Sequence, residues 1–116
     1  MIKKEYRLKE RQVKKVLSKW KPFFSYNIVL NYLKNKLKHN RFAIVIWKKS
    51  TKNNVERNIF RRKFYNTVKE NINIENKNYT WYDFVFIVKK KTKLDKKNKN
   101  IIKDFEKDIN FLLNRF

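Results

Sequence analysis

The chain contains no glycine and no cysteine. A phosphate-cradling P-loop or a dinucleotide fingerprint needs backbone that can approach a phosphate without a Cβ in the way, so both are excluded. Without cysteine there is neither a disulfide framework nor a thiolate zinc site. The single histidine, His39, sits in a polar turn and cannot build a histidine-rich metal cluster. Long apolar runs are missing too. The longest, FAIVIW at 42–47, has six residues, where a membrane-spanning helix needs about 20. The first ten residues, MIKKEYRLKE, are charged throughout and hold no apolar signal core. The expectation is a cytoplasmic protein with no membrane partner.

Acid is the scarcest resource. Ten Asp and Glu stand against 32 Lys and Arg, a formal net charge of +22 on 116 residues. A protein nuclease would need convergent carboxylates for two metals, or an acid and a base of suitable pKa. The ten acids are scattered, and only Glu56 and Asp83 fall near ordered positions, Asp83 reading as the start of a strand. The length suits one domain, 1–116, with one core.

Such a positive field opposes compaction and calls for a polyanionic partner, nucleic acid first. It is unevenly spread. Residues 101–116 carry three cations and three anions, so the whole excess lies in residues 1–100. An A/T-rich coding bias would enrich lysine, asparagine and isoleucine, but not arginine. Only seven arginines are present, and three, Arg57, Arg61 and Arg62, fall within six positions.

Apolar spacing organises the chain. Val13, Val16, Leu17 and Trp20 recur at helical intervals over 6–20, and Pro22, the only proline, stops that helix. In FFSYNIVLNYL, 23–33, alternation places Phe24, Tyr26, Ile28, Leu30 and Tyr32 on one strand face. A polar turn leads to RFAIVIWKK, whose continuous apolar run predicts a central strand buried on both faces. These two strands are expected to pair as an antiparallel hairpin. Residues 53–71 then read as a helix. Asn53 is its N-cap, Glu56 completes a capping box, and Phe60, Phe64 and Val68 form an apolar stripe. At about 100° per residue, Asn58, Arg62, Tyr65 and Lys69 share the opposite face, with Arg61 at the edge and Arg57 in the first turn. The asparagine-rich NINIENKN reads as a polar loop, TWYDFVFIVKK as a strand, and KKKTKLDKKNK as a solvated lysine-rich loop. Ile101, Phe105, Ile109, Leu112 and Phe116 give the last segment a helical stripe. The order is α-β-β(-β)-α-β-α, a single α+β two-layer sandwich.

These motifs, in this order, resemble the bacterial ribonuclease P protein subunit over nearly the whole chain. RFAIVIWKK is similar to that family's strand ending in Ser-Lys-Lys. NNVERN leads, like the family, through a loop with valine into Arg-Asn. The helix that follows resembles the pattern Arg-Asn-Arg-x-Lys-Arg-x-x-Arg, and DFVFIVKK resembles its final strand. Each motif alone is weak; order and spacing together are specific. Arg57 and Asn58 match the family's Arg-Asn pair, Arg61 and Arg62 its Lys-Arg pair, Lys48 and Lys49 its lysine pair, and Lys89 and Lys90 the basic end of the last strand. The departures are Ile59 for the third-position arginine, Tyr65 for the last, and Asn66 for the acid that often follows. The loop after the lysines is one residue longer and lacks the usual glycine. Val13 and Leu17 stand where the first helix usually brings two phenylalanines to a cleft.

The resemblance implies an accessory protein subunit of an endoribonuclease, with catalysis in an RNA subunit that uses magnesium to cut precursor tRNA at its 5′ end. No cofactor is expected on the protein itself, and a monomer in a one-to-one complex with ribonuclease P RNA is expected. The basic helix would dock that RNA through Arg57, Asn58, Arg61, Arg62, Tyr65 and Lys69, with Lys48, Lys49, Lys89 and Lys90 as further contacts. A cleft lined by Val13, Leu17, Phe24, Tyr26 and Tyr32 would hold the single-stranded 5′ leader. The family also implies a left-handed β-α-β crossover, against the general rule of right-handed connections. A second reading is a generic RNA-binding or ribosome-associated module with no part in tRNA processing.

Overall fold

The structure is a computed structural model that describes residues 3–19, 22–71 and 80–116. Helix α1 spans Glu10–Lys19, strand β1 Pro22–Phe24, β2 Ile28–Asn35 and β3 Arg41–Val45; helix α2 spans Asn54–Val68, β4 Trp81–Val88 and α3 Lys99–Leu113. Trp20, expected in the first helical stripe, and most of the NINIENKN loop lie outside the described residues.

The four strands form one sheet in the order β1-β2-β4-β3. β4 runs antiparallel to β2 and parallel to β3, so β3-α2-β4 is a β-α-β unit between neighbouring strands. This corrects the expected hairpin: β2 and β3 do not pair, because β4 lies between them. Apolar periodicity fixes which residues are inside but not which strand is the neighbour. The connection at 36–40 is held in a bend, with the Asn35 side-chain amide donating to His39 O at 3.3 Å and to Asp83 Oδ1 at 2.9 Å. β3 is buried on both faces as expected, Phe42 and Ile44 on one and Ala43 on the other, but it is an outer strand of the sheet and not a central one; β4 lies inside and is likewise buried on both faces. The free edge of β3 is covered by the N-terminal segment, where Arg7 bridges Phe42 and Leu8 N–H donates to Phe42 O at 2.9 Å.

Alternation along the strands separates two apolar clusters. Ile28, Leu30, Phe42, Ile44, Phe84 and Phe86 face α2 and α3, and meet Phe60, Phe64, Val68, Phe105, Ile109 and Leu112 there. Ala43 and Val85 face the other way, against Leu8 and Val16, with Val13 and Leu17 beside them. The stripes of α2 and α3 are therefore placed as their spacing predicts. Phe116, beyond the end of α3, closes the cluster against Tyr32, Tyr82 and Phe84 with ring centres 4.9–5.1 Å away.

Local signals are only partly realised. Asn53 caps α2, its Oδ1 accepting from Glu56 N–H at 2.9 Å. The reciprocal half of the capping box is absent. The Glu56 side chain turns inward, is buried, and its Oε1 has no hydrogen-bond partner. The lysine-rich run is not a free loop either. Leu94, the one aliphatic residue in it, is buried, its N–H donates to Ser50 O at 2.7 Å, and Lys93 Nζ donates to Lys49 O at 2.7 Å. One apolar side chain is enough to dock the segment. Between the sheet ends of β3 and β4, Asp83 takes both Arg41 Nε (2.8 Å) and Nη2 (2.7 Å) in a bidentate pair.

Phe64 is fully buried at the junction of α2 and β4, so Phe64→Ala should cost about 3–5 kcal/mol in a denaturant titration. Asp83→Asn weakens the half-buried guanidinium's partner and should cost about 1.5–3 kcal/mol in the same assay.

Candidate nucleic-acid interface

Because β3 is an outer strand, three elements meet along its edge: α2 from one face, α1 from the other, and the N-terminal strap between them. They enclose an open groove of about 1020 Å³. Asn58, Arg61, Arg62 and Tyr65 line it from α2; Lys4, Arg7 and Lys9 from the strap; Val13 and Lys14 from α1; its floor includes Ala43 and Ile44. Six cations thus face a concave apolar floor with one carboxylate, Glu10, which lies 3.5 Å from Lys14. Low-dielectric walls carrying one sign of charge concentrate the field. Guanidinium groups add forks that bind phosphate in two places and stack on bases. The arrangement can hold a strand of phosphates.

The helix itself distributes these groups. With Phe60, Phe64 and Val68 turned to the sheet, Arg61 and Arg62 are exposed beside Asn58. Tyr65 departs from the expected solvent face. It is buried, with its ring 5.1 Å from Phe64 in an edge-on contact, because the strap on β3 extends the covered zone past the apolar stripe. Burial raises its hydroxyl pKa above the usual 10.0, and the nearby charges of Arg7 and Arg61 only partly offset this. Tyr65 therefore stays neutral and serves the groove as wall. Arg57 lies outside the groove; its guanidinium is hydrogen-bonded to Asn54 Oδ1. Lys69 is exposed at the far end of α2.

The predicted cleft residues separate. Val13 and Leu17 do face the sheet from α1, half-buried over a floor of Leu33, Val45 and Ile87. Phe24 is paired in register with Val29, Val29 with Ile87, and Ile87 with Val45, so it belongs to a row on that same face. Tyr32 does not. It lies on the α3 side, stacked 5.2 Å from Phe23 and edge-on to Tyr82. Tyr26 lies in neither layer. Ser25 N–H donates to Ile28 O, the chain turns at 25–27, and alternation stops before Tyr26, which is 86% exposed.

A second basic set gathers at the end of the sheet where β3 and β4 finish. Lys48 and Lys49 are exposed in a 3-10 turn after β3. Lys89 Nζ lies over the Phe24 ring at 5.9 Å and Lys90 Nζ over Trp47 at 5.0 Å. Sequence reasoning missed Trp47, which counts as the last member of an apolar run; the lysine pair directly after it was the available signal. It also missed Lys4, Arg7 and Lys14, whose role depends on the strap docking to β3. Among the described residues no three His, Cys, Asp or Glu side chains converge as metal ligands. Among the same residues no helix is long and apolar enough to cross a membrane.

The family model for ribonuclease P matches residues 2–114. The chain belongs to the ribonuclease P protein family. Membership implies a protein subunit of an endoribonuclease that works with a ribonuclease P RNA, in agreement with the resemblance carried by the Arg-Asn helix. No curated protein matches the sequence. Solved structures agree on the fold. The Staphylococcus aureus RNase P protein shares 20% identity at a TM-score of 0.73, over 95% of this chain and 94% of that one. The RNase P protein from Thermotoga maritima shares 19% at 0.69, over 95% and 96%. The same protein in complex with 1-(4-fluorophenyl)-2-thiourea gives 19% and 0.67, over 91% and 94%. The α+β order of this ribonuclease P family member and its mixed four-stranded sheet are thus both as the family leads one to expect.

Arg61 and Arg62 are exposed, so Arg61→Ala with Arg62→Ala should leave the circular dichroism spectrum unchanged. The slope of log affinity for RNA against log salt should fall by about 1 for each phosphate contact removed.

Proposed function

We propose that this chain is the protein subunit of a ribonuclease P-like ribonucleoprotein that removes the 5′ leader from precursor tRNA. The observation that carries the reading is the groove at the β3 edge, where Asn58, Arg61 and Arg62 converge with cations from two other elements. In this reading the α2 side of the groove docks the catalytic RNA. Arg61 and Arg62 hold phosphates bidentately, which lysine cannot do, and Arg57, Lys48, Lys49 and Lys69 extend the contact outside the groove. The half-open face between α1 and the sheet takes the single-stranded leader over its aliphatic floor, with Lys89 beside it.

Chemistry at the scissile phosphate belongs to the RNA, which supplies the magnesium site. Among the described residues no donor set fits that ion: no three acids converge, Asp83 is committed to Arg41 and Glu56 is buried apart. The protein's own work is electrostatic. By neutralising about 6–10 phosphates it would gain affinity that falls by about 10³–10⁵ between 50 and 200 mM salt. The complex is one protein to one RNA, in the cytoplasm.

The test is cleavage of a precursor tRNA by a bacterial ribonuclease P RNA at low magnesium, with and without this protein. Correct 5′ processing that requires both is the expected result. RNA binding without rescue would favour a generic RNA-binding module, and cleavage by the protein alone would overturn the assignment of catalysis to RNA.

A further inference from the structure

Two aromatic rings stand in solvent at the end of the sheet where β3 and β4 finish, each with a lysine ammonium over it. Phe24 is 61% exposed and Trp47 37%. Neither belongs to a buried cluster, so neither ring is explained by the core. Phe24 begins the register row Phe24–Val29–Ile87–Val45, which crosses all four strands on the α1 side. Trp47 follows Val45 by two residues, with Ile46 between them turned into the core, so alternation returns Trp47 to the same side. The strands that carry the rings are three spacings apart, about 14 Å. Between them Val29, Ile87 and Val45 are half-buried, and among the described residues α1 faces this floor with aliphatic Val13, Val16 and Leu17. Among the same residues the exposed rings on that side stand at its rim.

The surroundings decide the kind of occupant. Lys48, Lys49, Lys90 and Lys91 are exposed around the rings and Lys89 is half-buried. A protein partner covering the rings would have to desolvate these ammonium groups, which is costly without paired carboxylates. An unpaired RNA strand supplies both missing complements at once: a flat base for a ring and a phosphate for an ammonium. With Phe24 61% and Trp47 37% exposed, each ring keeps accessible area beside its lysine.

We propose that Trp47 and Phe24, each under its lysine, form a stacking platform for unpaired nucleotides at the open rim of this face. The proposal rests on the reading of the chain as an RNA-binding subunit and deepens it, assigning bases to two rings and phosphates to Lys89 and Lys90. Trp47 contributes more, having the larger π surface. Recognition is tolerant of sequence, because every base has a face to stack.

The experiment measures binding of a short oligouridylate, and of base-free polyphosphate, to the full chain and to Trp47→Ala, Phe24→Ala and Trp47→Phe. Trp47→Ala should weaken oligouridylate by about 5- to 30-fold, the lower part of the range for a base on an aromatic ring, since this ring is only partly enclosed. Phe24→Ala should weaken it less, and polyphosphate should bind all four proteins alike. Trp47→Phe should keep affinity while losing most of the tryptophan quenching that oligouridylate produces in the wild type. Unchanged oligouridylate binding by both alanine variants overturns the platform, as does equal weakening toward polyphosphate or quenching that survives in Trp47→Phe. Failure of the wild type to bind oligouridylate while it still rescues precursor-tRNA cleavage overturns the platform and leaves the subunit reading standing. Ring-dependent binding without rescue supports the platform and removes that reading.

Discussion

Repulsion among 32 cations on a 116-residue chain is the constraint to which the rest of this fold answers. The opposing term is one aromatic-rich cluster, built where β4 meets α2 and α3, in which six phenylalanines are almost wholly removed from water: Phe42, Phe60, Phe64, Phe84, Phe86 and Phe105. α2 carries both sides of the balance on one circumference, burying Phe60, Phe64 and Val68 while holding Arg61 and Arg62 in solvent. Because the charges are arranged around a groove rather than dispersed, a bound polyanion relieves the repulsion where it is most concentrated. Any ligand that binds only the folded chain adds to its stability in proportion to the logarithm of its concentration, so a polyanion held in the groove would stabilise the fold as well as occupy it.

The few acids are used for construction. Asp83 clamps Arg41 and the Asn35 bend; Asp108 accepts from Asn27 N–H at 3.3 Å and so ties α3 to the turn before β2; Asp95 accepts from Lys97 N–H at 2.9 Å in the segment pinned by Leu94. Among the described residues these acids are held apart in separate structural contacts, and no three of them converge as metal ligands. The same economy gives α3 its balance of charge and leaves the excess to the α2 groove and the sheet end.

What could be read in advance follows from the range of the interactions involved. Helix stripes are local, and those of α2 and α3 fell where 3.6-residue periodicity put them. The exposed arginines of α2 were equally legible, since burying Phe60 and Phe64 leaves Arg61 and Arg62 nowhere else to go. Sheet order was not legible, because a two-faced apolar strand such as β3 is content beside either neighbour. Tyr65 was misplaced because it sits beside Arg7 of the strap, almost sixty residues away in sequence. Tyr32 was misplaced because an alternating strand states which residues share a face, not which helix covers it. Leu94 was hidden by the lysines around it, and composition spoke louder than the one residue that packs.

The position of β4 also bears on how the chain is made. It is the last strand to be synthesised and the one that must lie between two earlier ones, so β2 and β3 each wait with an open edge facing a gap one strand wide. Contacts of such long sequence separation form late and slowly, and unpaired edges of that kind invite pairing with other chains. Lys34, Lys36 and Lys38 flank one waiting edge, and Lys48, Lys49 and Lys52 follow the other. Charge beside an aggregation-prone edge acts as a gatekeeper, and lysines so placed oppose pairing between nascent copies whose sheets are still incomplete.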